Sequence, residues 1–463
     1  MNAPIHFPGE TQSNSVRATI RRDEPVGLRT FTPSQLVIAR SAGVFHWTPE
    51  GRRLYDYTSG VLVANLGHNP VRWMHRLCQE MQWTPELCFG SSNKEPGYLP
   101  AVPWTAYNAI TDVESQATER LIASLQQTPK GARLQSVFWA ASGSEAVQKA
   151  LWACLQRDEQ RPLILATRNG FHGKKGLAGA VTGSEKDHDR DPRVHFIRFP
   201  QEEIDDLSKA NDPFDFTPFE VELDELWRKH GSQINCLITE PYLGGGGSYH
   251  PPAAYLQGLE RWCRTHDVVL ILDEIQSNFG RTGSMYAFEK HGITPDIVCL
   301  GKGLGNGVPV SAAVGRTDLF NTLGYGAGSD TWSANPLGCA AVIATLDEFE
   351  TEPVLAHAAK LSQVLTEGLV KLKATGSIAK VRGEGMVFGL ECTSVRSLSP
   401  AETAIELVRA CYLGDSGGDG VHLLGPLAGR VIRVSPPMTM TLFDAEISLG
   451  IVQRACQRVA AGS

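Results

Sequence analysis

Residues 268–309 read VVLILDEIQSNFGRTG and, after a short intervening segment, PDIVCLGKGLGNGVP. Two apolar runs, 268–272 and 297–300, are continuous and β-branched rather than alternating. That predicts strands buried on both faces, as in a parallel sheet covered by helices. Asp273 follows the first run at once, and Lys302 follows the second after one glycine. An acid and an amine are thus expected at the carboxyl ends of two parallel strands, where open α/β sheets bind their ligands.

Few structural roles suit a lysine within Gly301-Lys302-Gly303-Leu304-Gly305-Asn306-Gly307, directly behind a buried strand. Lysine seldom enters a core unpaired, and the glycines free the backbone to bring its amine against a flat ligand. Desolvation lowers the proton affinity of an amine and makes it a nucleophile able to form a Schiff base. Pyridoxal 5'-phosphate is the cofactor that such a Schiff base serves, and its pyridine nitrogen needs a carboxylate to stay protonated. Asp273 can be that carboxylate.

Asp273-Glu274-Ile275-Gln276, Gly280-Arg281-Thr282-Gly283 and Pro295-Asp296-Ile297 ahead of Lys302 resemble, in order and spacing, the signature of the class III aminotransferases, a fold-type I pyridoxal-phosphate family. The resemblance implies an α/β fold: a large, mainly parallel sheet domain and a smaller α+β C-terminal domain. It implies Lys302 as the catalytic lysine that holds the cofactor as an internal aldimine and then carries a proton. Asp273 would face the ring nitrogen, and Gln276 would donate to the ring hydroxyl.

Further matches run from about Gly60 to Pro437. Residues 137–147, a strand leading into Ser142-Gly143-Ser144-Glu145, are similar to the family's phosphate loop, which implies phosphate contacts from Gly143 and Ser144; the same letters also spell an ordinary helix cap. Asn169-Gly170-Phe171-His172 implies Phe171 stacked on the cofactor ring with His172 beside it. Glu240-Pro241 resembles the family's acid beneath the ring. Thr331, in Ser329-Asp330-Thr331-Trp332-Ser333-Ala334-Asn335-Pro336, matches a residue that binds the phosphate of the neighbouring subunit's cofactor, which implies a homodimer. Ala334 replaces the usual glycine there. Val431-Ile432-Arg433-Val434-Ser435-Pro436-Pro437 implies Arg433 as a carboxylate binder, a task suited to a planar guanidinium.

The loop Thr58-Ser59-Gly60-Val61-Leu62, running on to Pro70, is similar to the family segment on the substrate side, so Val61 and Leu62 are expected to form an apolar wall. Trp104 and Tyr107 are candidates for the same pocket, although aromatics in such loops usually pack. His68 is expected to be a structural hydrogen-bonding residue. In the family members acting on 4-aminobutyrate or ornithine, a glutamate stands where Gly245 stands here, which argues against those two substrates. The expected reaction moves an amino group from an amine or ω-amino acid to a keto acid such as pyruvate or 2-oxoglutarate.

Length and composition agree with a soluble enzyme. The 463 residues are 42% hydrophobic with a net charge of −7, which gives no electrostatic footprint for nucleic acid. No apolar run reaches membrane-spanning length. The ten cysteines are scattered without Cys-x-x-Cys or Cys/His metal-ligand spacing and read as buried thiols of a cytoplasmic protein. Residues 1–59 are expected as an aperiodic arm and a small hairpin around Pro49-Glu50-Gly51, residues 60–330 as the large domain, and residues 331–463 as the small one. Helices are expected at 355–373, 400–413 and 443–460, and strands at 308–315, 378–382, 386–392 and 431–434.

Three other readings compete. The same fold supports decarboxylation, racemisation and amino migration, because the carbanion chemistry belongs to the cofactor. A dinucleotide-dependent oxidoreductase would need Gly-x-Gly-x-x-Gly spacing, absent at 303–307, and an acid about 20 positions on. A silent cofactor binder would not need Lys302, Asp273, Gln276 and Arg433 together.

Overall fold

The computed structural model describes residues 5–28, 32–84, 98–187, 190–415 and 418–462. Strands β1 (Arg40–Ala42), β2 (Phe45–Trp47) and β3 (Arg53–Asp56) form an N-terminal meander. Next come β4 (Ser136–Ala140), β5 (Leu163–Thr167), β6 (Val194–Ile197), β7 (Ile234–Thr239), β8 (Val269–Asp273), β9 (Ile297–Leu300) and β10 (Ser311–Gly315). They make one seven-stranded sheet in the order β4-β10-β9-β8-β7-β5-β6, parallel except for β10, which runs against both neighbours.

The alternation that a half-exposed strand would show is absent because both faces are covered. Leu165, Leu237, Leu270 and Val298 point into one apolar core, while their neighbours Ile164, Cys236, Ile271 and Cys299 point into another. Successive side chains in a strand face opposite ways, so a sheet sandwiched between helices needs both sets apolar. The expected strand at 308–315 begins only at Ser311, because Val308 N–H turns back to the Gly305 carbonyl.

A second layer follows. Strands β11 (Ile378–Glu384), β12 (Val387–Cys392), β13 (Gly420–His422), β14 (Leu424–Leu427) and β15 (Val431–Val434) alternate with helices Val354–Lys371, Pro400–Leu413 and Leu442–Ala461. Four of these strands form an antiparallel sheet in the order β11-β12-β15-β14. The strand β13 instead pairs in parallel with β3 and extends the N-terminal meander. One apolar core unites the meander, the antiparallel sheet and the three helices.

The arm is not aperiodic. Residues Thr11–Asp23 form a helix, and its buried positions are Ser13 and Arg17 rather than apolar residues. Ser13 bonds Glu50, while Arg17 bonds Glu10 and the Tyr412 hydroxyl. A polar dock leaves no hydrophobic period to read, which is why the helix was illegible.

The two layers are joined through Arg281. This guanidinium is fully buried, and its Nη1 donates to the carbonyls of Met386 at 2.9 Å and Pro436 at 2.8 Å. Its Nη2 reaches Ser59 Oγ at 3.3 Å and Asn65 Oδ1. Burial, reinforced by the charge of Arg433 and opposed by Tyr242 and Asp56, presses its pKa down to about 10. The substitution Arg281→Ala would strand several buried acceptors at about 1–3 kcal/mol each. Net of relieving a buried charge, urea denaturation is expected to show a loss of about 3 kcal/mol.

Candidate active site

Strands β8 and β9 are adjacent and parallel, so Asp273 and Lys302 leave the same edge of the sheet. Lys302 sits in the left-handed region at φ 49°, between Gly301 and Gly303. A left-handed lysine is strained by on the order of 1 kcal/mol or more, and such strain collects at functional positions. Its backbone is held by neighbours: Asn278 Nδ2 donates to the Gly301 carbonyl at 3.1 Å, and a Cβ at Gly303 would come within 2.4 Å of Asn65 Nδ2. Burial, reinforced by the charge of Arg433, pushes the lysine pKa down to about 8, although Asp273 and Glu240 pull the other way. Among the described residues the amine makes no ion pair and donates no hydrogen bond.

The acids below it are organised differently. Asp273 is buried, and its Oδ2 meets His172 Nδ1 at 2.7 Å, while Oδ1 accepts from Ile275 N–H at 3.1 Å. Burial pulls the His172 pKa down, but the bond to Asp273 and the charges of Asp273 and Glu240 outweigh it and hold it above its ordinary value. Glu240 receives the N–H groups of Phe171 at 3.0 Å and Gly244 at 3.3 Å. Burial and the charge of Asp273 raise its pKa to about 7 even though His172 opposes them. Asp273, His172 and Glu240 therefore form one interacting set at the end of β8.

Beside this set lies a crowded strip. A Cβ on Gly244 would fall 2.2 Å from Gln276 Oε1, so only glycine lets the Gln276 amide sit there. Tyr242 OH donates to the same Oε1 at 3.4 Å, and its ring stacks flat on His250 at 4.4 Å. Arg433, on β15, is buried and donates from Nη2 to the Gly244 carbonyl. Its Nε is buried without a partner, and among the described residues no carboxylate pairs with it.

At the opposite side, the helix Gly143–Arg157 begins with a complete capping box. Ser142 Oγ accepts from Glu145 N–H, and Glu145 Oε2 accepts from the N–H groups of Ala141 and Ser142. The N–H groups of Gly143 and Ser144 stay free, and aligned free N–H groups at a helix start bind anions. Gly143 also packs too closely on Ile275 for a larger residue, since a Cβ would approach Ile275 Cδ1 to 2.8 Å. Phe171 keeps 39% of its surface exposed.

These features fit pyridoxal phosphate by their chemistry. There is a depressed, partnerless amine for an aldehyde, a buried carboxylate for a ring nitrogen, free helix N–H groups for a phosphate, and a cradle that glycine alone permits. Lys302, Asp273, His172, Glu240, Gln276, Gly143, Ser144, Phe171 and Arg433 all belong to elements that meet at this edge.

Two expected site residues, Leu62 and Trp104, fall elsewhere, and Leu62 is thereby divided from its neighbour Val61. Residues Ser59–Leu62 form a left-handed turn, with φ of 49°, 59°, 69° and 63°. That geometry turns Leu62 inward against Tyr242 and Val387, where it is 1% exposed, so it packs beneath the site rather than forming a wall. Val61 stays 44% exposed and free to face a ligand. Trp104 lies 64% exposed and packs against Trp83, with ring centroids 4.9 Å apart. Thr331, expected at a neighbouring subunit's cofactor, is exposed on a loop pinned by an ion pair of Asp330 with Lys149 at 2.8 Å. His68 bonds Asp56 at 2.8 Å. Of the cysteines, nine are free thiols and Cys88 lies outside the described residues.

The supporting residues Tyr242, Asn278 and Asn65 were not legible in advance. Their contacts join positions 34, 23 and 213 or more residues apart, and no local spacing announces them.

The family model for class III aminotransferases matches residues 29–456. An omega-aminotransferase of Caulobacter vibrioides is 29% identical over 440 residues, covering 89% of this chain and 91% of that protein. An acetylornithine aminotransferase of Oceanobacillus iheyensis is 26% identical over 428 residues, covering 91% and 93%. Among solved structures, an amine transaminase from an uncultivated Pseudomonas species in its PLP-bound form superposes with a TM-score of 0.77 at 26% identity, covering 99% of each chain. The chain belongs to the class III aminotransferases, a pyridoxal-phosphate-dependent family, and is an aminotransferase.

Proposed function

We propose that this enzyme moves an amino group from an amine or ω-amino acid without an α-carboxylate contact of its own to a keto acid held by Arg433. The observation that carries this reading is the pairing of Arg433, a buried guanidinium with no carboxylate partner among the described residues, with glycine at 244–247. A guanidinium with no acid to swing toward presents a standing positive charge to a substrate carboxylate. A glutamate at 245 would crowd Phe171, since even a Cβ there would come within 3.0 Å of Phe171 Cβ. This supports an apolar donor pocket bordered by Val61 and Phe171.

The bound cofactor supplies an electron sink for breaking a carbon–hydrogen bond next to nitrogen. The chain's own residues do the rest. Lys302 would hold the cofactor through its aldehyde and would move a proton at the reacting carbon, its depressed pKa keeping the neutral amine available. Asp273, steadied by His172, holds a proton at the ring nitrogen. Gln276 would orient the ring hydroxyl, Gly143 and Ser144 would hold the phosphate, and Phe171 would cover the ring.

Residues 60–330 act as the cofactor-binding domain and residues 331–463, with the N-terminal meander, as the smaller one. A homodimer would bring Thr331 and the exposed aromatics Tyr325 and Trp332 against a neighbouring copy. No described helix is long and apolar enough to cross a membrane, and the free thiols suit the cytoplasm.

The test is a panel of amines, ω-amino acids and α-amino acids added to the cofactor-loaded protein, with its visible absorption followed. Aliphatic and aryl amines are expected to bleach the band, with full recovery only when a keto acid is added. Carbon dioxide release or racemised product without any keto acid would assign a different reaction on this fold.

A further inference from the structure

Away from the amine and its acids, the four-stranded sheet carries a second cluster of chemistry-bearing groups. The register fixes which residues share a face. His46 of β2 stands opposite Leu54 of β3, Asp56 follows Leu54 by two positions, and His422 of β13 stands opposite Asp56. Side chains two apart in a strand, or paired across strands, point the same way. His46, Asp56 and His422 therefore line one face across three adjacent strands. His68, which follows the left-handed turn, reaches the same carboxylate.

Asp56 is fully buried, and its two oxygens are divided between tasks. The Oδ1 atom accepts from Thr58 N–H and from Thr58 Oγ1, both at 2.7 Å. The Oδ2 atom faces His68 Nε2 at 2.8 Å and His46 Nε2 at 3.5 Å. These three donor atoms lie within 4.8 Å of one another. A Zn²⁺ ion bonds imidazole nitrogen and carboxylate oxygen at about 2.0–2.2 Å, a spread the three can meet with small ring rotations.

The groups behind the ligands are also in place. The far nitrogen of His46, Nδ1, lies 2.7 Å from Ser41 Oγ, which fixes the ring with Nε2 toward Asp56. Ligating histidines are held in this way by their second nitrogen, and ligating carboxylates by further hydrogen bonds such as those from Thr58. His422 supplies an independent sign. Its ring lies 5.8 Å from that of His46, and its Nδ1 is buried without any partner. A buried nitrogen with nothing to bond is costly, and this one lies on the same face as Asp56.

We propose that His46, Asp56 and His68 form a site for a divalent transition-metal ion of the Zn²⁺ type on the N-terminal meander, beside His422 of β13. The nitrogen and carboxylate donor set suits Zn²⁺, Co²⁺ or Ni²⁺ and not Ca²⁺ or Mg²⁺, which take oxygen ligands. The ion would reach the site past His68, whose side chain is 18% exposed. It would be structural, since none of its ligands belongs to the amine's set. Ligand spacings of 10 and 12 residues, far from any finger-like pattern, hide it in the sequence.

The experiment uses the full-length, cofactor-loaded enzyme after treatment with chelator. Titration with ZnCl₂ followed by calorimetry is expected to show one equivalent per chain and a raised thermal midpoint, and CoCl₂ is expected to add visible d–d bands. Affinity is expected to fall at least about tenfold in His46→Gln and in Ser41→Ala, the latter touching only the hydrogen bond behind His46. Transamination is expected to persist in both. Absence of stoichiometric binding by the wild-type enzyme overturns the proposal. So does binding that both variants leave unchanged, which would put the ion elsewhere. Should His46→Gln lose the cofactor's absorption band through misfolding, Ser41→Ala and the cobalt spectrum of the wild type decide the matter alone.

Discussion

Lys302→Ala is expected to lower amine-to-keto-acid turnover by about 10³-fold or more, because it removes both the nucleophile and the group that moves the proton. The same substitution should not weaken the fold. The amine has no partner among the described residues, and its pKa of about 8 lies well below the ordinary 10.5, so folding works against its charge. Between pH 8 and 10.5 the unfolded chain binds more protons at this residue than the folded one, and the residue's contribution to stability rises with pH. Below pH 8 the full cost is borne. In the cofactor-free protein, Lys302→Ala should therefore melt at or above the wild-type midpoint at pH 7, with the advantage shrinking as pH approaches 10.5. The wild-type apoprotein should take up the aldehyde cofactor at a rate that climbs through pH 8. An alanine variant that still turns over, or an uptake profile centred near 10.5, would remove Lys302 from the proposed role.

The stretch that carries this lysine was also the most legible part of the chain. Residues 268–309 spell their fold because a parallel strand buried on both faces has to be apolar throughout, and because the groups at its end have to be polar. The small layer was readable for a related reason: helices Val354–Lys371, Pro400–Leu413 and Leu442–Ala461 each bury a periodic apolar stripe. What stayed hidden was structure held by polar contacts across long separations. The helix Thr11–Asp23 docks through Glu10, Arg17 and Tyr412. The strand β13 is three residues long and joins a partner 366 positions away. Leu62 looked like a wall because the letters Val-Leu promise an apolar surface, yet left-handed backbone angles decide which of the two faces out. Trp104 illustrates the reverse case, an aromatic that satisfies itself on Trp83. Sequence identifies which residues are chemically suited to a site, whereas burial and backbone handedness decide which of them arrive.

Arg433 arrives with its charge unspent, which makes its removal the second large effect. Arg433→Gln is expected to raise the KM for the keto acid by about 10²-fold, since charge-assisted hydrogen bonds to a carboxylate are worth about 1.5–3 kcal/mol each and two are lost together. The reaction of a simple amine with the loaded enzyme contains no carboxylate and should change by less than about threefold. Arg433→Lys keeps the charge but loses the planar fork, so it should recover only part of the keto-acid affinity. Half-reactions followed separately by stopped-flow absorption distinguish the outcomes. Equal losses in the amine and keto-acid halves would make Arg433 a support for the strip and not the carboxylate's partner, and the substrate pocket would then have to be sought nearer Val61.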